Sequence, residues 1–148
     1  MFTIIVPGAG AVWAPWAILN RYGGQADWSA WYGVILIVAG AALYLWCLSL
    51  FAIVGTGTPG LWDPPRQVVA AGPYRWVRNP IYIGALLVVM GEAWLFLSLP
   101  LLIYAGVMAA CFHLFVIGYE EPRLGKNFGL TYEKYLRVVP RWIPRRPH

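Results

Sequence analysis

From Trp31 to Val54 the chain runs 24 residues without a charged side chain. A helix of that length reaches about 36 Å, enough to cross a hydrocarbon core of roughly 30 Å. Helices of a soluble bundle need polar outer faces, and this stretch offers none. The whole chain follows suit, at 60% hydrophobic and 11% charged over 148 residues, where soluble domains carry roughly 25% charged residues. The expected fold is an all-α integral membrane protein of one domain.

Three further segments complete the expected architecture of about four transmembrane helices. Residues 1–19 are apolar but carry Pro7, Gly8, Gly10 and Pro15, without the basic opening of a secretory signal. They read as a first, irregular membrane helix. A polar turn from Asn20 to Ser29 leads into Trp28, Trp31 and Tyr32, aromatics suited to the headgroup level. Gly55 to Gly60 ends the 31–54 span, and residues 55–80 form a long loop. Its Trp62, Tyr74 and Trp76 favour order on the membrane surface. Residues 81–99 and 101–119 are the third and fourth spans, separated only by Pro100, so they run antiparallel as a helical hairpin. Residues 120–148 form a polar tail. Within it Leu124, Phe128, Tyr132 and Tyr135 fall on one stripe of a single amphipathic helix at the interface.

Four spans put the 55–80 loop and the tail on the same side. Those two segments hold ten Lys and Arg, from Arg66, Arg75 and Arg78 to Arg146, against Arg21 alone on the other side. The positive-inside rule then places both segments and both termini in the cytoplasm. Juxtamembrane cations facing anionic headgroups account for the net charge of +5, so no nucleic-acid partner is expected. Cys47 and Cys111 are isolated within apolar spans, which supports neither a disulfide framework nor a metal site.

Several polar residues are candidates for chemistry, each with a plainer alternative. Glu92, near the middle of the third span, is either a substrate or proton group or a neutral carboxyl bonded to a neighbouring helix. Gly84 and Gly91, seven residues apart, favour close helix packing beside it. His113 shares a face with Gly106 and Ala110; it is a neutral core histidine with one hydrogen bond, or a ligand group. Glu120 and Glu121 stand where the fourth span leaves the membrane. Adjacent acids point apart on a helix, so at most one should face a given pocket. They are a solvated pair, or acceptors for a ribose or an amino group. Arg75, Arg78, Arg137 and Arg141 are topology signals, or bidentate ligands for phosphate or carboxylate. The Gly-Pro-Tyr and Asn-Pro framework around Arg75 and Arg78 fixes backbone that a topology signal would not need fixed.

The stretch Gly72-Pro73-Tyr74-Arg75-Trp76-Val77-Arg78-Asn79-Pro80-Ile81-Tyr82-Ile83-Gly84 resembles the first signature of the isoprenylcysteine carboxyl methyltransferase family. Glu120-Glu121 to Leu124, Phe128-Gly129, Tyr132, Tyr135 and Val139-Pro140-Arg141 to Ile143-Pro144 resembles that family's C-terminal signature. With the hairpin between them, the resemblance covers about 70 of the 148 residues. Phospholipid methyltransferases and the C-terminal half of sterol reductases show a similar pattern. The resemblance implies S-adenosylmethionine as methyl donor, held by segments 72–84 and 120–144 and reached from the cytoplasm. A lipophilic small-molecule or lipid acceptor would arrive laterally from the membrane. The implied cofactor site comprises Tyr74, Arg75, Arg78, Asn79, Pro80, Tyr82, Gly84, His113, Glu120, Glu121, Tyr132 and Tyr135. Tyr132 and Tyr135 would pack the tail over it as a lid. Arg141, with Glu121, is the catalytic candidate, orienting the carboxylate of the acceptor or of the cofactor. Many family members have His where this chain has Asn79, which hydrogen-bonds but cannot charge. Two other classes remain open at this stage. One is a nicotinamide-dependent reductase, with Arg145 and Arg146 as 2′-phosphate ligands; the other is a non-enzymatic membrane scaffold or lipid binder.

Overall fold

The computed structural model describes residues 7–27, 30–54 and 71–145, and these are mostly helical with no strand among them. Trp13–Tyr22 forms α1, Tyr32–Val54 α2, Pro80–Leu95 α3 and Leu99–Phe115 α4. A π-helical turn, Val116–Glu120, carries α4 into α5 (Glu121–Phe128), and α6 (Leu130–Val138) follows. The expected positions of Trp28, Trp62, Arg66 and Arg146 lie outside the described residues.

Two helices are long and apolar enough to cross a membrane: α2 within Tyr32–Leu50, and the continuous helix Leu99–Phe128. Their outward faces expose Ile35, Val38 and Leu45 on one and Leu102, Val107 and Leu114 on the other. Apolar residues all round a helix fit a lipid solvent and not water.

α2 and α3 are the most extensively packed pair. A Cβ added at Gly33 would lie 2.6 Å from the carbonyl oxygen of Gly91, and one at Gly40 2.6 Å from that of Gly84. A seven-residue step up α2 thus matches a seven-residue step down α3, so the helices run antiparallel with backbones in contact. Because α2 continues to Val54 while α3 begins at Pro80, α2 passes the start of α3 by ten residues, or about 15 Å. Residues 71–79 fill the step beside this overhang. Gly72 fits there at φ +53, where a Cβ would lie 2.7 Å from Leu50 Cδ1 and 3.5 Å from the Trp46 ring. The core runs down the bundle from Tyr74 and Cys47 through Tyr82, Ala85 and Val89 to Ala105, Met108, Phe112 and Val116.

Four expectations change in detail. The first apolar segment is a helical turn at residues 7–10 and then α1, of 10 residues, so it is broken near its prolines. Residues 1–6 lie outside the description. The third span ends at Leu95 instead of residue 99, with Leu97 at φ 45 in the turn. Pro100 sits in the first turn of α4. A proline tolerated there opens a helix and need not close one, since it lacks only a donor that would have no partner. Glu92 therefore lies in the last turn of α3, not mid-span, and its carbonyl accepts the amide of Phe96 at 3.0 Å. The single amphipathic tail helix is two helices, because Gly129 takes φ 49, a left-handed conformation that stops α5.

Candidate functional site

The first signature stretch is built as a tight 3₁₀ turn, Gly72–Arg75, followed by the start of α3 at Pro80. Proline in the first turn of each fixes φ where a free amide would have no partner. The turn buries Tyr74 and leaves Arg75 exposed. Arg78 and Asn79 then face the tail, and Tyr82 points one turn further into the bundle.

The opposing wall comes from the end of α4. Pro122 lies just inside α5, and a proline there crowds the carbonyl four residues back, at Gly118. The helix accommodates it by widening into the π turn Val116–Glu120. Both acids at its end reach the signature stretch, through different partners. The Tyr82 hydroxyl donates to Glu120 Oε2 at 2.8 Å, and Arg78 Nη1 donates to Glu121 Oε1 at 3.0 Å. Arg141 completes the cluster from the tail with a two-point pair, Nε to Oε1 and Nη2 to Oε2 of Glu121, both 2.8 Å. Glu121 is thus a single carboxylate between two guanidiniums, one from each signature stretch.

Arg78 is the fastener of this assembly. Besides Glu121 it donates from Nε to the carbonyl of Val139 and from Nη2 to that of Leu136, both at 2.6 Å. These are carbonyls at the C-terminal end of α6, where a cation satisfies the free acceptors and the helix dipole together. The backbone continues the attachment. The Arg78 amide donates to the Pro140 carbonyl at 2.9 Å and the Arg145 amide to the Trp76 carbonyl at 3.0 Å. Asn79 adds its own side-chain donor, Nδ2 to the carbonyl of Arg141 at 3.2 Å. A carboxamide suits that bond at any pH. Residues 136–145 are therefore a strap tied across residues 76–79.

Tyrosines close the other side. The Tyr135 hydroxyl donates to the Tyr74 carbonyl at 2.7 Å, and the Tyr132 and Tyr135 rings lie 6.1 Å apart. Burial pushes the Tyr132 hydroxyl up to about 12, with the Glu121 and Glu120 carboxylates adding to the effect. Burial likewise raises Tyr135 and, well above its usual value, Tyr74. Hydrogen bonding to Glu121 holds Arg141 above the ordinary arginine value. Burial thus keeps the phenols neutral beside two glutamates and two arginines.

The geometry sorts the sequence candidates. Tyr74, Arg78, Asn79, Tyr82, Glu120, Glu121, Tyr132, Tyr135 and Arg141 meet where α4 passes into α5, under the strap. Pro80 opens α3 beside them. Arg75 stands apart, with no ion-pair partner among the described residues. Gly84 belongs to the helix crossing with Gly40. His113 is exposed, not a core residue, and its Nδ1 accepts the Trp142 indole N–H at 3.0 Å. That indole, which also lies 6.5 Å from the Tyr82 ring, belongs to the quoted stretch but was not among the site residues drawn from it. The Leu136 and Val139 carbonyls could not have been found, since a backbone acceptor leaves no mark in the sequence. Among the described residues no group of His, Cys, Asp and Glu is arranged to hold a metal ion.

Residues 28–131 match a family model described as phospholipid methyltransferase. The match takes in the Gly72–Gly84 stretch and both glutamates and ends before Tyr132 and Arg141. No curated protein and no solved structure matches the chain.

Proposed function

Since the chain belongs to the phospholipid methyltransferase family, matched over more than two thirds of its length, we propose that it transfers a methyl group from S-adenosylmethionine to a lipophilic acceptor at the cytoplasmic face of the membrane. The isoprenylcysteine carboxyl methyltransferases that the two signatures resemble belong to the same superfamily of membrane methyltransferases. The observation that carries the proposal is Glu121 held between Arg78 and Arg141. It joins the two signature stretches into one polar site at the end of an apolar bundle.

The donor set suits this cofactor. Carboxylates at Glu120 and Glu121 are acceptors for a ribose hydroxyl or an amino group, and Arg141, one-third exposed at its side chain, is a cation for a carboxylate. The cofactor supplies an electrophilic methyl group on a sulfonium. The protein's share is then positioning and exclusion of water, which suffices for an in-line displacement. The Tyr82–Glu120 and Arg78–Glu121–Arg141 bonds fix the carboxylates, and the strap with Tyr132 and Tyr135 shields them. Asn79 acts as an anchor of the strap and moves no proton. On this reading the chain crosses the membrane four times, and the ten-to-one bias of basic residues then puts both termini and the site in the cytoplasm.

Calorimetry with S-adenosylhomocysteine tests the proposal on the purified chain in detergent. Binding is expected for the wild type and its loss for Glu121→Gln. No heat of binding at millimolar ligand rejects it.

A further inference from the structure

Other residues of the first signature stretch face a second concavity, outside the ion-pair cluster. Arg78, Asn79 and Tyr82 serve the cluster, whereas Arg75, Trp76, Pro80 and Ile83 line a side pocket of about 370 Å³. Trp46 of α2 and Pro144 of the strap help to close it. The pocket sits in the step where α2 overruns the start of α3, and two of its lining residues, Trp46 and Trp76, remain about half exposed, at 55% and 52%. Its volume falls within the roughly 300–1,000 Å³ of ordinary ligand sites.

The lining is apolar apart from one group. Arg75 stands at the pocket with its guanidinium exposed, and none of the ion pairs among the described residues involves it. An apolar recess beside a cation that has no ion-pair partner among the described residues is complementary to a ligand with a chain at one end and an anion at the other. Two flanking indoles mark the level at which lipid headgroups meet hydrocarbon. A guanidinium matches the fork of phosphate oxygens better than any other side chain.

We propose that this side pocket seats an acyl chain of a glycerophospholipid from the adjoining leaflet, with the lipid phosphate held by Arg75. The proposal deepens the methyltransferase reading, on which it rests only in identifying the seated lipid with the acceptor. Pro80 and Trp76 lie in the same seven-residue run as Arg78 and Tyr82, so the seat and the cofactor cluster share one short segment. Arg75 is then a specificity-determining residue that selects acceptors bearing a phosphate.

The test uses the full chain in neutral maltoside detergent and a phosphatidylglycerol with a photoreactive diazirine in one acyl chain. Labelled peptides are mapped by mass spectrometry. Labelling is expected at Trp46, Trp76 or Ile83, falling roughly tenfold in Arg75→Gln, the loss of one charge-assisted contact. A diazirine diacylglycerol of the same chains should label the wild type as weakly as the phospholipid labels that variant. Ile83→Trp, which fills the pocket, should abolish labelling. Arg75 is exposed, so its variant remains informative even if Ile83→Trp fails to fold. Labelling elsewhere, equal labelling by diacylglycerol, an unchanged yield in Arg75→Gln, or displacement by soluble glycerol phosphate overturns the seat. S-adenosylhomocysteine binding by the wild type is read separately. Cofactor binding without labelling overturns the seat alone, and labelling without cofactor binding overturns the methyltransferase reading alone.

Discussion

Replacing Arg78 with Lys keeps the charge and removes the fork. The guanidinium reaches three acceptors on separate segments: Glu121 Oε1 at 3.0 Å and the Leu136 and Val139 carbonyls at 2.6 Å. An ammonium is a single point and cannot span all three, so at least two bonds are lost. Each is worth about 1.5–3 kcal/mol to a charged group. Losses within one network do not add, so a combined cost of about 3 kcal/mol is the reasonable figure. That cost falls on attachment of the strap. Opening of residues 136–145 should become roughly 10²-fold more frequent. Hydrogen–deuterium exchange in detergent reads it at the Arg145 amide, which bonds the Trp76 carbonyl at 3.0 Å and not one of the three acceptors of the Arg78 side chain. Faster exchange there, with α2 and α3 unchanged, is the expected result. Exchange at Arg145 equal to wild type would refute Arg78 as the fastener.

Gly40→Ala should lower the thermal midpoint in detergent, because its Cβ meets the Gly84 carbonyl at 2.6 Å and overpacking of that kind costs about 1–3 kcal/mol. Gly106→Ala, with nothing within 4 Å of the added carbon, should leave the midpoint level or slightly raised; equal losses at both sites would contradict the helix crossing. Tyr82→Phe strips the donor from Glu120, bonded at 2.8 Å, and should cost about 1–3 kcal/mol in the same melt. Alkaline stability follows from the phenols. Tyr74, Tyr132 and Tyr135 are raised in the fold, so the native state keeps protons that the unfolded chain releases above about pH 10. Stability is complete below that pH and is lost as pH rises from about 10 toward 12, with Tyr132 alone contributing about 2–3 kcal/mol. A midpoint flat across that window, once detergent controls are matched, would show that these phenols are not buried in solution.

The sequence revealed most where physical chemistry left one option. A charge-free run from Trp31 to Val54 has no stable state but an apolar helix, and α2 spans Tyr32–Val54. The end of α3 was hidden because Trp94-Leu95-Phe96-Leu97 offers no breaker, and only the backbone at Leu97 shows the turn. Gly129 was visible as a residue but fell within an otherwise regular stripe from Leu124 to Tyr135. Its positive φ could not be read from the stripe. The same applies to the site. Arg78, Glu121 and Arg141 were named from their motifs, but their pairing needed the π turn, and that turn is signalled only by Pro122 four residues after Gly118. The Gly33–Gly91 and Gly40–Gly84 contacts had a trace in the matching seven-residue spacings, of which the pair in α3 alone was noticed. Arg75 and Arg78 look alike in sequence, three residues apart, yet they serve different surfaces.

The most direct test of the central claim is methyl transfer itself. Purified protein, methyl-labelled S-adenosylmethionine and a total lipid extract are incubated together, and the labelled product is separated and identified by mass. The account predicts label in a lipid, lost in Glu121→Gln and strongly reduced in Arg141→Ala while both variants remain folded in detergent. A wild-type protein that binds no cofactor and transfers no label to any lipid would contradict it.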